Sequence, residues 1–200
     1  MGFELVAVAE DAGGEFAAGR YYDAAGATFT TLIDARHTVS ALYGMVNVPT
    51  GVWIDEAGRI VRPGEVAFSR DFSFLSEAIP GSAYVAALRD WVTNGADSRF
   101  ALPQRAVAEA LGDRPQAADF AIAHFGLALA LHERGDEKLA GEHWRRAQEL
   151  HPASWSIHRQ AWVSLTEDER RALWMEKYEA LDGAPYYAPL DLPDAPPAGD

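Results

Sequence analysis

The stretch from Tyr43 to Arg62 constrains this chain more than any other. It reads Tyr43-Gly44, three intervening residues, Val48-Pro49-Thr50, the run Gly51-Val52-Trp53-Ile54-Asp55, the turn Asp55-Glu56-Ala57-Gly58, and a second run from Arg59 to Arg62. A glycine-ended turn between two short strand-like runs folds the second back onto the first, so the two should pair antiparallel, with Pro63-Gly64 closing the hairpin. Upstream, Phe3 to Ala9 is an apolar run without alternation, the pattern of a strand buried on both faces. Glu15 to Ala25 reads as a helix ending at Gly26, and Thr28 to Asp34 as a β-branched strand. Strand, helix and strand in this order favour a parallel βαβ unit. A short helix from His37 to Tyr43 then ends before Gly44.

Beyond the hairpin, Phe68, Phe72 and Phe74 with Pro80-Gly81 read as an irregular insertion. Ser82 to Asn94 carries Tyr84, Val85, Leu88, Trp91 and Val92 at helical spacing, with Ser82 as candidate N-cap and Gly95 as terminator. A first α/β module therefore spans residues 1–97. A linker over 98–117 holds a helix at Gln104 to Leu111, and helix dominates 118–181. Residues 182–200 hold five prolines and four aspartates, which predicts a flexible, extended tail.

Composition limits the function classes. Thirty acidic against 17 basic residues give a net charge of -13, which repels a phosphate backbone and argues against nucleic acid as a partner. No apolar run approaches the roughly 18 residues that span a bilayer. The start Met1-Gly2-Phe3-Glu4 lacks the pattern of a secretory signal, and the compartment stays unknown. Two hundred residues suffice for a sizeable core. The chain has no cysteine, so it supplies neither disulfide, thiolate ligand nor thiol nucleophile.

Residues 3 to about 97 resemble the thioredoxin-like redoxin family that includes the TlpA and ResA thiol oxidoreductases and, more distantly, the AhpC/TSA-type peroxiredoxins. The ordered set Tyr43-Gly44, Val48-Pro49-Thr50, Ile54-Asp55 and the glycine turn carries that resemblance. It implies thiol–disulfide or peroxide chemistry without a cofactor, a protein or peptide thiol substrate, a cis peptide bond before Pro49, and Val48, Pro49 and Thr50 as the substrate-facing loop. A cis proline turns the chain sharply and removes a backbone donor, which can leave Val48 open to an extended peptide.

The resemblance also implies a central strand and an active-site helix carrying the nucleophile, both upstream of the segment equivalent to Phe3 to Ala9. Without them, that strand and the 51–55 strand keep unpaired edges, at several kcal/mol in unmet backbone hydrogen bonds. Three explanations stand side by side. Met1 is internal to a longer redoxin, in one version a selenocysteine member whose UGA codon is read as stop; the sheet is completed by dimerisation or rearrangement; or a degenerate redoxin has become an interaction module. In each of them the chain as given, lacking cysteine, is inert in the redox reaction.

His124 to Pro152 resembles one tetratricopeptide (TPR) helical hairpin, with Leu127, Ala128, Leu131, Ala140, Trp144, Ala147 and Pro152 as packing positions and Gly135-Asp136 at the turn. Trp155 to Leu165 and Glu167 to Leu181, the latter started by Thr166, extend it. The alternative function is thus a non-enzymatic module binding a peptide through these helices. Trp144, Trp155, Trp162 and Trp174 could line a groove with Arg145 and Arg146 as anchors, or pack the core.

Other chemistry is sparse. His124, His132, His143, His151 and His158 show no i, i+4 pair and no HExxH arrangement, so no metal site is expected. Gly13-Gly14 lacks the rest of a phosphate loop. Asp34, Arg36 and His37, like Glu10-Asp11, follow a predicted parallel strand's carboxyl end, where open sheets bind ligands. Asp34 and His37 could do acid–base work, or Asp34 simply caps the next helix, and Glu10-Asp11 could be a solvated turn.

Overall fold

The computed structural model describes residues 2–75, 77–163 and 165–193. Among them the chain is mixed α/β. In order the elements are β1 Val6–Ala9, α1 Gly14–Ala25, β2 Thr30–Ile33, α2 Thr38–Tyr43, β3 Thr50–Ile54, β4 Ile60–Val66, β5 Phe72–Phe74, β6 Glu77–Ile79, α3 Gly81–Asn94, a 3₁₀ turn, α4 Gln104–Leu111, α5 Gln116–Glu133, α6 Glu137–Leu150, α7 Trp155–Ala161 and α8 Glu167–Glu179. They gather into two compact units. One contains Val48–Asp113 and the chain from Met175 onward, the other Glu4–Asn47 and Arg114–Trp174.

In the second unit β1 and β2 pair in parallel, Val6 opposite Thr30 and Ala9 opposite Ile33, with α1 as the crossover. Gly26 stops α1 by taking the left-handed conformation, φ 56°, where its N–H reaches the Asp23 carbonyl. The strand expected over Phe3 to Ala9 is shorter and far less buried than its apolar pattern demands. Leu5 and Val6 are 45% and 48% exposed and Leu32 is 50% exposed. The cause is local, since β2 is the one ladder partner of β1 among the described residues.

Helices α5 and α6 form the expected hairpin. Ala121, Ala128, Ala140 and Ala147 are fully buried, so the helices approach closely, and Phe125, Leu129, Trp144 and Ile157 fill the space around that seam. Leu127, expected among the packing residues, points outward at 45% exposure. Asp136 caps α6 by accepting from the Leu139 amide. Ser154 caps α7 through the Ile157 amide. Thr166 and Glu169 form a reciprocal capping box at the start of α8.

In the first unit β3 and β4 are antiparallel around the Asp55–Gly58 turn. Asp55 accepts from the Ala57 and Arg59 amides and from the Arg59 guanidinium, and Arg59 holds its carboxyl below the usual range. Pro63-Gly64 does not close the hairpin. The pairing shifts between Gly51–Glu65 and Trp53–Arg62, so a bulge absorbs both residues inside β4 at a place where a missing proline N–H costs no ladder bond.

The phenylalanine insertion is ordered as the small hairpin β5–β6. Ser82 does not cap α3. Pro80 holds that position, and the Ser82 amide and hydroxyl bond Asp71 instead, lowering that carboxyl's pKa. Gly81 is required at this junction because a Cβ there would meet the Arg70 backbone. The core is Trp53, Val61, Tyr84, Ala87 and Phe100, with Trp53 stacked on Trp91 at 5.2 Å and bonded to the Tyr84 hydroxyl.

The expected flexible tail is packed where it is described. Tyr186 is 4% exposed, and Leu190 and Leu192 lie against the Trp53 core. The part of that expectation covering 194–200 lies outside the described residues.

Candidate functional site

The Val48-Pro49-Thr50 loop enters β3. Its Val48–Pro49 bond is cis. The Pro49 carbonyl accepts from the Ala67 amide at 3.3 Å, and Thr50 pairs with Val66. All three residues are half-buried. The Val48 carbonyl, expected to face a substrate, accepts from the Tyr187 hydroxyl at 3.4 Å, so the chain's own C-terminal segment lies against the loop.

A second cluster sits at the carboxyl ends of β1 and β2. Asp34 does cap: its carboxylate accepts from the Val39 amide at 2.6 Å and the Arg36 amide at 3.3 Å, which takes it away from His37. The histidine meets Glu10 instead. His37 Nδ1 lies 3.5 Å from Glu10 Oε2, both side chains are 4% exposed, and neither carboxylate oxygen nor either ring nitrogen has a hydrogen-bond partner. The pair is close enough for charge attraction without hydrogen-bond alignment. His37 has a left-handed backbone, φ 56°, which costs a non-glycine residue about 1–3 kcal/mol, and its ring stands edge-on to Phe125 at 5.1 Å. The signal was in the sequence: adjacent parallel strands bring the loops that follow them to one edge.

Neither a protein-family model, nor a curated protein, nor a solved structure matches this chain.

The helices supply a third feature, a shallow groove of about 450 Å³, open to solvent and lined by Arg159, Trp162, Glu167, Arg170, Arg171 and Trp174. Of the four tryptophans proposed as groove residues, Trp144, Trp155 and Trp162 are buried, and Trp162 and Trp174 border the shallow groove. The expected anchors are displaced. Arg146 pairs with Glu149 on the surface of α6, and the arginines at the groove are others. Their signal was the helical spacing Arg159–Trp162, Arg170–Trp174 and Arg171–Trp174, which sets guanidinium and indole on one face.

Across the α5–α6 hairpin, His124 Nδ1 and His143 Nδ1 lie 2.7 Å apart, a pairing that spacing along one helix could not reveal. Among the described residues no group of three or more His, Asp or Glu is placed to hold a metal, and no helix is long and apolar enough to cross a membrane.

Proposed function

We propose that this chain contains the distal part of a thioredoxin-like redoxin module, whose intact form performs thiol–disulfide or peroxide chemistry at the Val48-Pro49-Thr50 loop. The observation that carries the reading is the mismatch on β1. A run with the pattern of a doubly buried strand has one ladder partner among the described residues and leaves Leu5 and Val6 nearly half exposed. A further strand along the open edge of β1 removes the mismatch, because it supplies backbone partners and covers apolar surface together. The parallel β1–α1–β2 unit followed by the antiparallel β3–β4 pair and α3 is the element order the resemblance implies. The thiol or selenol that attacks a disulfide sulfur must come from outside these residues.

The test compares the chain as given with the same chain extended upstream in its natural reading frame, using a disulfide-bonded peptide and a peroxide as oxidants. Turnover confined to the extended chain is expected. An upstream frame without a strand, a helix and a reactive cysteine or selenocysteine, or an extended chain that turns over neither oxidant, removes the proposal.

The open groove at α7 and α8 favours a second reading, a TPR-like helical module that docks a peptide carboxylate between arginines and indoles. Arg170→Ala with Arg171→Ala should then abolish capture of acidic peptides; unchanged capture discards it.

A further inference from the structure

Three phenylalanines that no core explains, Phe68, Phe72 and Phe74, form one aromatic shelf beside the Val48-Pro49-Thr50 loop. Phe68 stacks on Phe72 at 4.9 Å and Phe72 on Phe74 at 6.2 Å. Within Ala184–Pro193, Tyr186 and Tyr187 lie on this shelf, while Leu190 and Leu192 pack on the Trp53 core. Tyr186 packs on Phe74 at 5.1 Å, and Tyr187 stands edge-on to Phe68 at 5.6 Å. One carboxylate reads the backbone: Glu77 accepts from the Tyr186 amide at 2.6 Å and the Tyr187 amide at 3.3 Å. The Tyr187 hydroxyl reaches the Val48 carbonyl.

These are contacts of peptide recognition. Prolines at 185, 189 and 193 keep helix out of the segment, which runs without helix or strand and bends at Tyr186-Tyr187. Asp182 and Gly183 both have left-handed backbones, φ 48° and 86°, and they redirect the chain immediately after α8. Residues 182–185 are exposed.

We propose that the shelf and Glu77 form a binding site for a proline-rich peptide carrying adjacent aromatic residues, and that Ala184–Pro193 is its intramolecular occupant, a strap that closes the Val48-Pro49-Thr50 loop to outside partners. This rests on the reading of that loop as substrate-facing. A partner must displace the strap before its own backbone reaches Glu77 and Val48.

The test uses the full chain. In Tyr186→Ala/Tyr187→Ala the receptor residues are intact but the strap is weakened, and a synthetic peptide of residues 184–193 is the probe. Losing the aromatic anchors and the amide contacts they position should make the probe bind the variant at least about tenfold tighter than wild type, and adding Glu77→Gln should cancel that gain. Equal affinity for both proteins, or no binding to a variant whose circular dichroism matches wild type, overturns the proposal. NMR-detected hydrogen exchange of wild type decides independently should the variant misfold. The Tyr186 and Tyr187 amides must exchange through local openings at least about tenfold more frequent than those of the α3 core; exchange only with that core makes the segment a permanent part of the fold and ends the proposal. Neither measurement needs a thiol. Docking without turnover by the extended chain would leave the strap standing and remove the redox role, and turnover without docking would do the reverse.

Discussion

Arg62→Met should be among the most damaging single substitutions in the first unit. Arg62 is 1% exposed, and its guanidinium grips Glu65 with two bonds, Nε to Oε2 at 2.9 Å and Nη2 to Oε1 at 2.8 Å. Nη1 donates to the Phe100 carbonyl at 2.8 Å, Nη2 donates to the Asp191 carbonyl, and the cation lies 5.6 Å from the Trp53 ring. Methionine fills the space of the stem and supplies none of these donors. It leaves a buried carboxylate and a buried carbonyl unpaired, at about 3–5 kcal/mol. If β3 and β4 exchange their amide protons through cooperative unfolding, exchange should accelerate by about a hundred- to several-thousand-fold. Burial already holds the Glu65 carboxyl above its ordinary range despite the arginine. A raised folded pKa means that the stabilisation is present below the unfolded value, about 4.3, and lost as pH rises through the folded one. The penalty of Arg62→Met should therefore be larger at pH 7 than at pH 5. Arg62→Met/Glu65→Leu should recover most of it, because the orphaned charge is gone. A loss under about 1 kcal/mol, or a double variant no better than the single one, would refute this account of the pair.

Gly81→Ala should cost about 1–3 kcal/mol by forcing a Cβ into the Arg70 backbone, read as a lowered denaturation midpoint; an unchanged midpoint contradicts the close approach. Trp144→Ala, which empties the centre of the α5–α6 seam, should cost about 3–5 kcal/mol in urea denaturation followed by helical circular dichroism. Replacing both Glu10 and His37 by Leu should be neutral or stabilising by about 1–4 kcal/mol, since it removes four unpartnered polar atoms; clear destabilisation would show that the pair holds the fold together. For Asp55, whose carboxyl is held low chiefly by Arg59, the stability gap between wild type and Asp55→Asn should be present above about pH 3.9 and close as pH falls through the lowered folded pKa. A gap that does not change between pH 7 and pH 2 would reject that assignment.

Local rules were enough wherever one segment settles its own conformation. Gly26, Gly44 and Gly95 end helices with positive φ as their positions predicted, Asp55–Gly58 turns, and Thr166 with Glu169 opens α8. Ser82 shows the limit of that approach. It had the chemistry of a cap, but Asp71, eleven residues earlier, competes for the same groups at 2.9 and 2.7 Å. Pro63-Gly64 shows it again, because a turn signal inside a strand is absorbed by a bulge when the partner strand fixes the register on both sides.

The sites were legible in proportion to how far their parts lie apart in the chain. Val48, Pro49 and Thr50 are contiguous and could be named together, whereas Glu77 and Tyr186 are 109 residues apart and share no pattern. Tail composition misled for a physical reason. Proline and aspartate argue against an internal core, yet a segment without helix or strand needs no core of its own when it borrows one, and Tyr186, Leu190 and Leu192 place their apolar surface on Phe74 and around Trp53. Arg62 completes the argument, since its Nη2 donates to the Asp191 carbonyl and its burial depends in part on the segment that composition assigns to solvent. If the strap lifts, Arg62 must trade that acceptor for water while keeping Glu65 and Phe100. The exchange rates of β4 and of the Tyr186 amide should then be coupled, and Arg62→Met should raise both.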